Sequence, residues 1–169
     1  MTTQTGVRVE LAEEGSASVA TGLPVLDHLV GELARAGRFR IALEVAPGSA
    51  DEEVAAAGTA FGQALASLLD ADGVAARGWA IVPADEALAS AALERTETAR
   101  FASNVDFSNQ RVAGLATDVA SRFLQELVKA ADLNLHVRLI EGQDPQHVLD
   151  GMFKAVGAAL GQACRRELQ

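Results

Sequence analysis

Several residue types are scarce in this 169-residue chain. It contains no tyrosine, one tryptophan and a single cysteine, Cys164, and aromatic residues make up 4% of the total. A single cysteine excludes an internal disulfide and fits a reducing compartment such as the cytoplasm. Because hydrophobic residues nevertheless reach 49%, the core of the protein must be packed mainly by alanine, valine and leucine.

Positive charge is also scarce, since 14 lysines and arginines stand against 23 acidic residues and give a formal net charge of −9. A nucleic-acid-binding surface needs a clustered positive field, so this composition argues against that class of function. No apolar run approaches the length of a membrane-spanning segment, and the first residues lack the pattern of a signal peptide. We therefore expect a cytoplasmic protein without membrane or nucleic-acid partners.

An internal repeat organises the sequence. The segment ELARAGRFRIALEVAPG, from residue 32, aligns without a gap with ELVKAADLNLHVRLIEG, from residue 126, an offset of 94 residues. Each copy begins with apolar residues at helical spacing and continues with apolar residues at alternate positions, which predicts a helix followed by a strand. Further helices are predicted at about 50–69 and 145–165, and strands at VRVEL, SASVA, WAIVP, ALASAALE and RFASNV.

These elements predict an α+β fold made by internal duplication. Each half supplies a sheet and two amphipathic helices that cover one face of the sheet. No segment rich in proline, glycine or serine separates the halves, so we expect them to pack as one domain over residues 1–169. The first repeat is expected over about residues 1–72 and the second over about residues 73–169.

The candidate chemistry begins with three histidines: His28, His136 and His147. His147 and Asp150 lie three residues apart at the start of a predicted helix, so both side chains can reach one ligand. His136 alternates with apolar neighbours and is expected on the opposite face of its strand. Taken singly, each histidine is better explained as a surface residue, because the chain has no HxH, HExxH or CxxC pattern.

Six segments follow one another over nearly the whole chain: TGLPVLDHL, AGRFRI, FGQAL, VPADEALA, NLHVRLIEG and QHVLDGMFKAV. In the same order, they resemble segments of imidazoleglycerol-phosphate dehydratase, the lyase of histidine biosynthesis. TGLPVLDHL (21–29) is similar to the family's TGIGFLDHM, and VPADEALA (82–89) to its VPMDEALA. NLHVRLIEG (134–142) and QHVLDGMFKAV (146–156) correspond to TLHIRVLYG and HHxxEAAFKAL, and the remaining two segments are AGRFRI and FGQAL. The resemblance includes the duplication.

The resemblance implies the family's duplicated fold, which is of the ribosomal protein S5 domain 2-like type, and assembly into trimers. In active members, trimers join into a 24-subunit shell around manganese sites at subunit interfaces. There the metals bind the imidazole of the substrate, so that a carbon-bound proton is removed and water is expelled. Each half of the family carries a His-His-x-x-Glu helix start for this purpose.

The metal positions of the family are only partly retained. The resemblance implies a residual metal site built from the residues that match family ligands: His28, His136, His147 and Asp150. The other family metal positions carry residues that depart from the pattern: Asp51, Glu52, Ala55 and Gln146. The 94-residue offset would instead place the paired histidines of the first motif at Glu52 and Glu53, and neither register contains an imidazole. Losing even a supporting group around a metal typically costs about 10–100-fold in affinity or activity.

The substrate contacts implied by the resemblance are also incomplete. The arginine of the family's SGRP segment aligns with Thr98, although Arg95 lies nearby. A phosphate-contacting arginine aligns with Asn109, and Arg111 follows two residues later. Lys154 is retained, so Lys154, Arg95 and Arg111 are the candidate substrate-binding residues.

Three interpretations remain open. The favoured one is a catalytically degenerate member of the family that is non-catalytic or regulatory, either alone as a homo-oligomer, expected to be a trimer, or beside an active dehydratase paralogue. The second is a residual or altered metal-dependent lyase that acts on imidazoleglycerol phosphate or a related small phosphorylated substrate. The third is an assembly with a structural role alone. No cofactor is expected, and manganese only where the residual site functions.

Overall fold

The computed structural model describes residues 4–106, 111–112 and 115–167. Two halves follow each other along the chain. They share the order strand, strand, helix, strand, helix, and the second half has further strands. The elements of the first half are β1 (Gly6–Leu11), β2 (Ser16–Ala20), α1 (Pro24–Gly37), β3 (Phe39–Glu44) and α2 (Ala50–Leu69). Those of the second half are β4 (Arg77–Ala84), β5 (Ala87–Arg95), β6 (Arg100–Ser103), β7 (Arg111–Val112), β8 (Leu115–Ala116), α3 (Thr117–Ala131), β9 (Leu133–Glu141) and α4 (Pro145–Ala163).

Each half builds a mixed sheet around its repeated strand. The first sheet has the order β1-β3-β2, with β1 antiparallel and β2 parallel to β3. The second has the order β4-β5-β9-β6, with β5 antiparallel and β6 parallel to β9. Strands β7 and β8 form a separate two-stranded pair. The alternation of buried and exposed residues along β3 and β9 gives each sheet one covered and one outer face.

The helices pack against each other where the two halves meet. α1 contacts α4, and α2 contacts α3, while α1 also contacts β2 and β3 and α4 contacts β4 and β5. The centre of this layer is a row of three fully buried rings, with Phe123 stacked on Phe61 at 6.2 Å and on Phe153 at 5.9 Å between ring centroids. One continuous hydrophobic core therefore joins the halves.

Glycines set the distance between α1 and α4. A methyl group at Gly157 would collide with the main chain of Leu33, and one at Gly37 would collide with the carbonyl oxygen of Gly157. The two helices thus approach through their backbones over more than one turn. This close approach fixes the relative position of the polar residues that the two helices carry.

The structure confirms the α+β fold with internally duplicated halves. Helix α2 has the predicted bounds, and α4 ends at Ala163 rather than at residue 165. The chain leaves α4 there because the guanidinium of Arg165 donates to the carbonyl oxygens of Gly37 and Arg38 at 2.8 Å each, at the end of α1. The short β7–β8 pair was not predicted, and the boundary between repeats at residue 72 remains a prediction. None of the helices in the described ranges combines the length and apolar character that a membrane crossing requires.

Candidate active site

The loop before α1 fixes the first candidate histidine. Thr21 is fully buried, and both its main-chain N–H and its hydroxyl donate to Asp27 Oδ1, at 2.9 and 2.5 Å. Asp27 lies in the first turn of α1, next to His28, so this contact orients the turn that presents the imidazole. The carboxylate of Asp27 is therefore engaged in holding the helix start.

His28 meets the start of the last helix. Its Nε2 atom lies 3.0 Å from Oδ1 of Asp150, although 122 residues separate the two along the chain. The same carboxylate oxygen accepts a hydrogen bond of 2.8 Å from the side-chain amide of Gln146. The Asp150 side chain is 17% exposed, so the imidazole and amide replace much of its hydration. The structure thus brings together two of the four predicted metal residues, His28 and Asp150.

Two cations surround the neighbouring carboxylate, Glu32. Its Oε1 atom accepts from Arg35 at 2.7 Å and lies 3.9 Å from Nε2 of His28. Its Oε2 atom lies 3.8 Å from the ammonium of Lys154 on α4. Sequence reasoning did not identify Glu32, although its i,i+4 spacing from His28 and i,i+3 spacing from Arg35 were available as a signal. The α1–α4 contact therefore holds a network of alternating charge.

His147 belongs to a second polar cluster. Its Nδ1 atom lies 2.6 Å from Oε2 of Glu86, and its Nε2 atom lies 3.4 Å from Oδ2 of Asp85. Both acids stand in the turn between β4 and β5, where Asp85 adopts a positive φ of 52°, a conformation that aspartate tolerates better than most residues. The retained VPADEALA segment therefore presents its acids to the imidazole.

The electrostatics of this cluster favour an ion pair. Hydrogen bonds from the main-chain N–H of Asp144 and from His147 lower the pKa of Glu86 to about 2. The hydrogen bond to Glu86 in turn raises the pKa of His147 above its ordinary value of 6.5. A carboxylate that holds Nδ1 of a histidine orients the ring, and in this orientation Nε2 faces Asp85.

His136 lies apart from both clusters. It is exposed on the outer face of β9, as the alternation predicted, where Ala92 of β5 and Ala102 of β6 are its partners in the ladder. It lines a groove of about 870 Å³ together with Trp79. One chain therefore does not bring His136 into contact with the other two histidines.

The residues that the resemblance places at family metal positions in the first half lie in the first two turns of helix α2. Ser49 and Glu52 form a reciprocal capping box, with N–H to side-chain oxygen distances of 3.2 and 2.9 Å. Asp51 lies 3.6 Å from NH1 of Arg122 on α3, and Ala55 carries no ligand group. These contacts support the helix start and its packing on α3, and acids in a first turn also suit the helix dipole.

The candidate substrate residues are in different places. Arg95 donates to Asp70 at 2.9 Å, where β5 meets the end of α2. Lys154 belongs to the Glu32 network on the α1–α4 contact. The side chain of Arg111 lies outside the described part of the structure, so its predicted substrate contact remains untested.

The donors within one chain do not fit a manganese ion. Over the described ranges, no three side chains of His, Cys, Asp and Glu are grouped so as to hold a metal. The resemblance places the first histidine of the second motif at Gln146, a neutral amide whose N–H donates to Asp150 and which could offer a metal only its carbonyl oxygen. Arg35 and Lys154 add positive charge beside Glu32, which opposes a further cation.

A comparison with known families gives the relationship. A family model described as "Imidazoleglycerol-phosphate dehydratase" matches residues 21–160. The chain belongs to the imidazoleglycerol-phosphate dehydratase family. The dehydratase of Desulforudis audaxviator is 34% identical over 175 residues, covering 99% of this chain and 89% of its own. That of Moorella thermoacetica is 33% identical over 171 residues, covering 96% and 86%.

Solved structures of imidazoleglycerol-phosphate dehydratase share the fold. The Staphylococcus aureus structure superposes with a TM-score of 0.88 at 24% sequence identity, covering 97% of this chain and 95% of its own. The Pyrococcus furiosus structure gives 0.78 at 22% identity, covering 99% and 94%. The duplicated architecture is therefore that of the dehydratase family.

Proposed function

We propose that this chain is a catalytically degenerate member of the dehydratase family that serves as a non-catalytic or regulatory subunit. The observation that carries the proposal is the start of α2, where the family's paired histidines are replaced by Asp51 and Glu52. Glu52 closes the capping box and Asp51 pairs with Arg122, so both acids have structural partners. The conversion of Glu to Asp at position 150 and of His to Gln at position 146 supports the same interpretation.

A dehydratase assay in the presence of added manganese tests this proposal. The unmodified chain is expected to show no turnover of imidazoleglycerol phosphate above background, because several imidazole ligands are missing at once. Formation of imidazoleacetol phosphate at rates typical of enzymes, with kcat of about 1 per second or more, would refute the proposal.

A restored variant provides the matched control. It carries D51H, E52H and A55E in the first motif and Q146H and D150E in the second. If ligand loss is the cause of inactivity, the restored variant binds more manganese per chain than the unmodified protein and gains measurable dehydratase activity. A Ser49→Ala variant, which affects the helix start alone, should gain neither.

A second candidate function, a residual or altered lyase, is favoured by two contacts of the histidines. His28 and Asp150 lie 3.0 Å apart, and Glu86 fixes the ring of His147. Neighbouring copies would have to supply the remaining ligands of any manganese site, for example through the exposed His136. The substrate would be imidazoleglycerol phosphate or another small phosphorylated molecule, with Lys154, Arg95 and Arg111 as candidate contacts. Elemental analysis after purification in excess manganese decides this alternative: well below one ion per chain removes it.

We further propose a cytoplasmic homotrimer without nucleic-acid or membrane partners. The charge of −9 and the lone cysteine support this environment, and the resemblance to a trimer-forming family supports the trimer. Where bridging metals are absent, the trimers should not close into a 24-subunit shell. An active dehydratase paralogue is the proposed partner, and it should co-purify with this chain from the native host. If it does not, the paralogue is excluded as a partner, and a homo-oligomer or a purely structural role is left.

A further inference from the structure

The two halves differ at one strand position. The 94-residue offset matches Arg40 of β3 to Asn134 of β9. Arg40 lies opposite Glu10 of β1, and Asn134 lies opposite Glu94 of β5. Strand β1 is therefore the counterpart of β5. In the second half β4 continues the sheet beyond β5, whereas in the described part of the first half β1 is the last strand.

The apolar inner face of β1 is partly exposed. Ala91 and Leu93 of β5 are 2% and 5% exposed, because β4 and α4 cover them. Their counterparts Val7 and Val9 are only half-buried, and Leu11 is 42% exposed. The inner face of β1 thus has apolar surface that the corresponding strand of the other half buries.

The main chain on that side of β1 is available for a ladder. The N–H of Ala12 donates to Arg38 at 2.9 Å, towards β3. Because these groups alternate in direction along an antiparallel strand, the N–H and C=O groups of Val7, Val9 and Leu11 point to the outer edge. Among the described residues, none pairs with that edge.

The corresponding outer edge of the second sheet, on β4, is protected. The side-chain amide of Gln162, on α4, covers the main chain of Trp79, on β4. It accepts from the N–H of Trp79 at 3.0 Å and donates to its C=O at 2.8 Å. Pro83 removes a further donor from the same strand. Strand β1 carries neither device, and an unprotected edge of alternating valines is a template for another strand.

We propose that the outer edge of β1 binds β1 of a second copy of this chain as an antiparallel pair. One two-fold register places Val9 opposite Val9 and Val7 opposite Leu11, so that all outward N–H and C=O groups pair. The same register places Arg8 of each copy opposite Glu10 of the other, on the outer face. Both charged residues are exposed, and the pairing is therefore complementary in backbone, apolar and ionic contacts at once.

Charge-swap variants test this register. The molar mass is measured by sedimentation over a concentration series for the full-length protein and for R8E, E10R and the R8E/E10R double variant. Each single variant places like charges opposite each other twice, so the association should weaken about tenfold. The double variant restores both pairs and should regain the original mass. Single variants that match the unmodified mass at every concentration would overturn the proposal.

Two further variants separate the edge from the fold. V9P removes an N–H that points away from β3, so it should leave the β1–β3 ladder intact and abolish the association. E44R makes the same charge change as E10R on the same outer face, but on the central strand β3, and should leave the mass unchanged. Thermal melting checks that each variant is folded. The same measurement tests the proposed trimer separately from the β1 pairing. If the trimer forms through other contacts, V9P should still have three times the 17.5 kDa chain mass.

Discussion

At the residue scale, the cluster of His147 and Glu86 is the most strongly polarised feature of the candidate site. Glu86 accepts hydrogen bonds from the main chain of Asp144 and from the imidazole, so its pKa falls to about 2 while that of His147 rises. The ion pair between the Glu86 carboxylate and the His147 imidazolium stabilises the folded state most fully between two pH values. These are the ordinary glutamate pKa of 4.5 and the ordinary histidine pKa of 6.5. This stabilisation is lost as the pH rises through the raised pKa of His147, or falls towards 2.

Replacing Glu86 by glutamine should lower the pKa of His147 towards 6.5, because the imidazolium loses its carboxylate partner. An NMR titration of the chain's three histidines measures this directly. The reduction in melting temperature should be larger at about pH 5.5 than at about pH 8.5. Asp85→Asn is the matched control, and its shift should be smaller, since Asp85 lies 3.4 Å from the ring rather than 2.6 Å. An unchanged His147 pKa in E86Q would contradict the assignment.

At the scale of elements, the α1–α4 contact decides where His28 and Asp150 meet. A methyl group at Gly157 would collide with the backbone of Leu33, whereas one at Gly151, on the same helix, would make ordinary contacts with alanines at 3.5 Å and beyond. G157A should therefore force the helices apart and destabilise the protein by about 2 kcal/mol, the usual cost of overpacking. G151A should be neutral or stabilising by up to about 1 kcal/mol, because alanine is the better helix former. Urea unfolding of both variants measures the difference, and equal stabilities would show that the close approach is not needed.

The start of α2 provides a second prediction at this scale. Ser49→Ala removes the side-chain half of the capping box and should cost about 1 kcal/mol of unfolding free energy. If Glu52 serves the helix start, E52Q should cost less than S49A, since a glutamine oxygen can still accept from the N–H of Ser49. Manganese in excess should not raise the melting temperature of the unmodified chain; a clear rise would show that the folded chain binds the ion.

At the scale of the whole molecule, the two repeats share one hydrophobic core. The core is continuous through the stacked Phe61, Phe123 and Phe153, so the halves are expected to unfold together. Phe123→Ala should cost about 3–5 kcal/mol and leave a single unfolding transition. Calorimetry checks this, and two separate transitions would show that the halves are independent.

The sequence by itself determined the fold class, because the helical and alternating periods repeat at an offset of 94 residues and each period dictates one element. It also limits the chain to three imidazoles, since that is a matter of residue identity. The β7–β8 pair escaped prediction because two-residue strands carry no periodic signal.

Tertiary structure alone decided which side chains meet. The pairing of His28 with Asp150 spans 122 residues, and that of His147 with Glu86 spans 61, so no local spacing encodes either contact. The backbone approach of α1 to α4 and the turn between β4 and β5 create them. Tertiary structure likewise leaves the outer edge of β1 without a partner strand among the described residues, because a strand's neighbours are set by topology and not by its own residues.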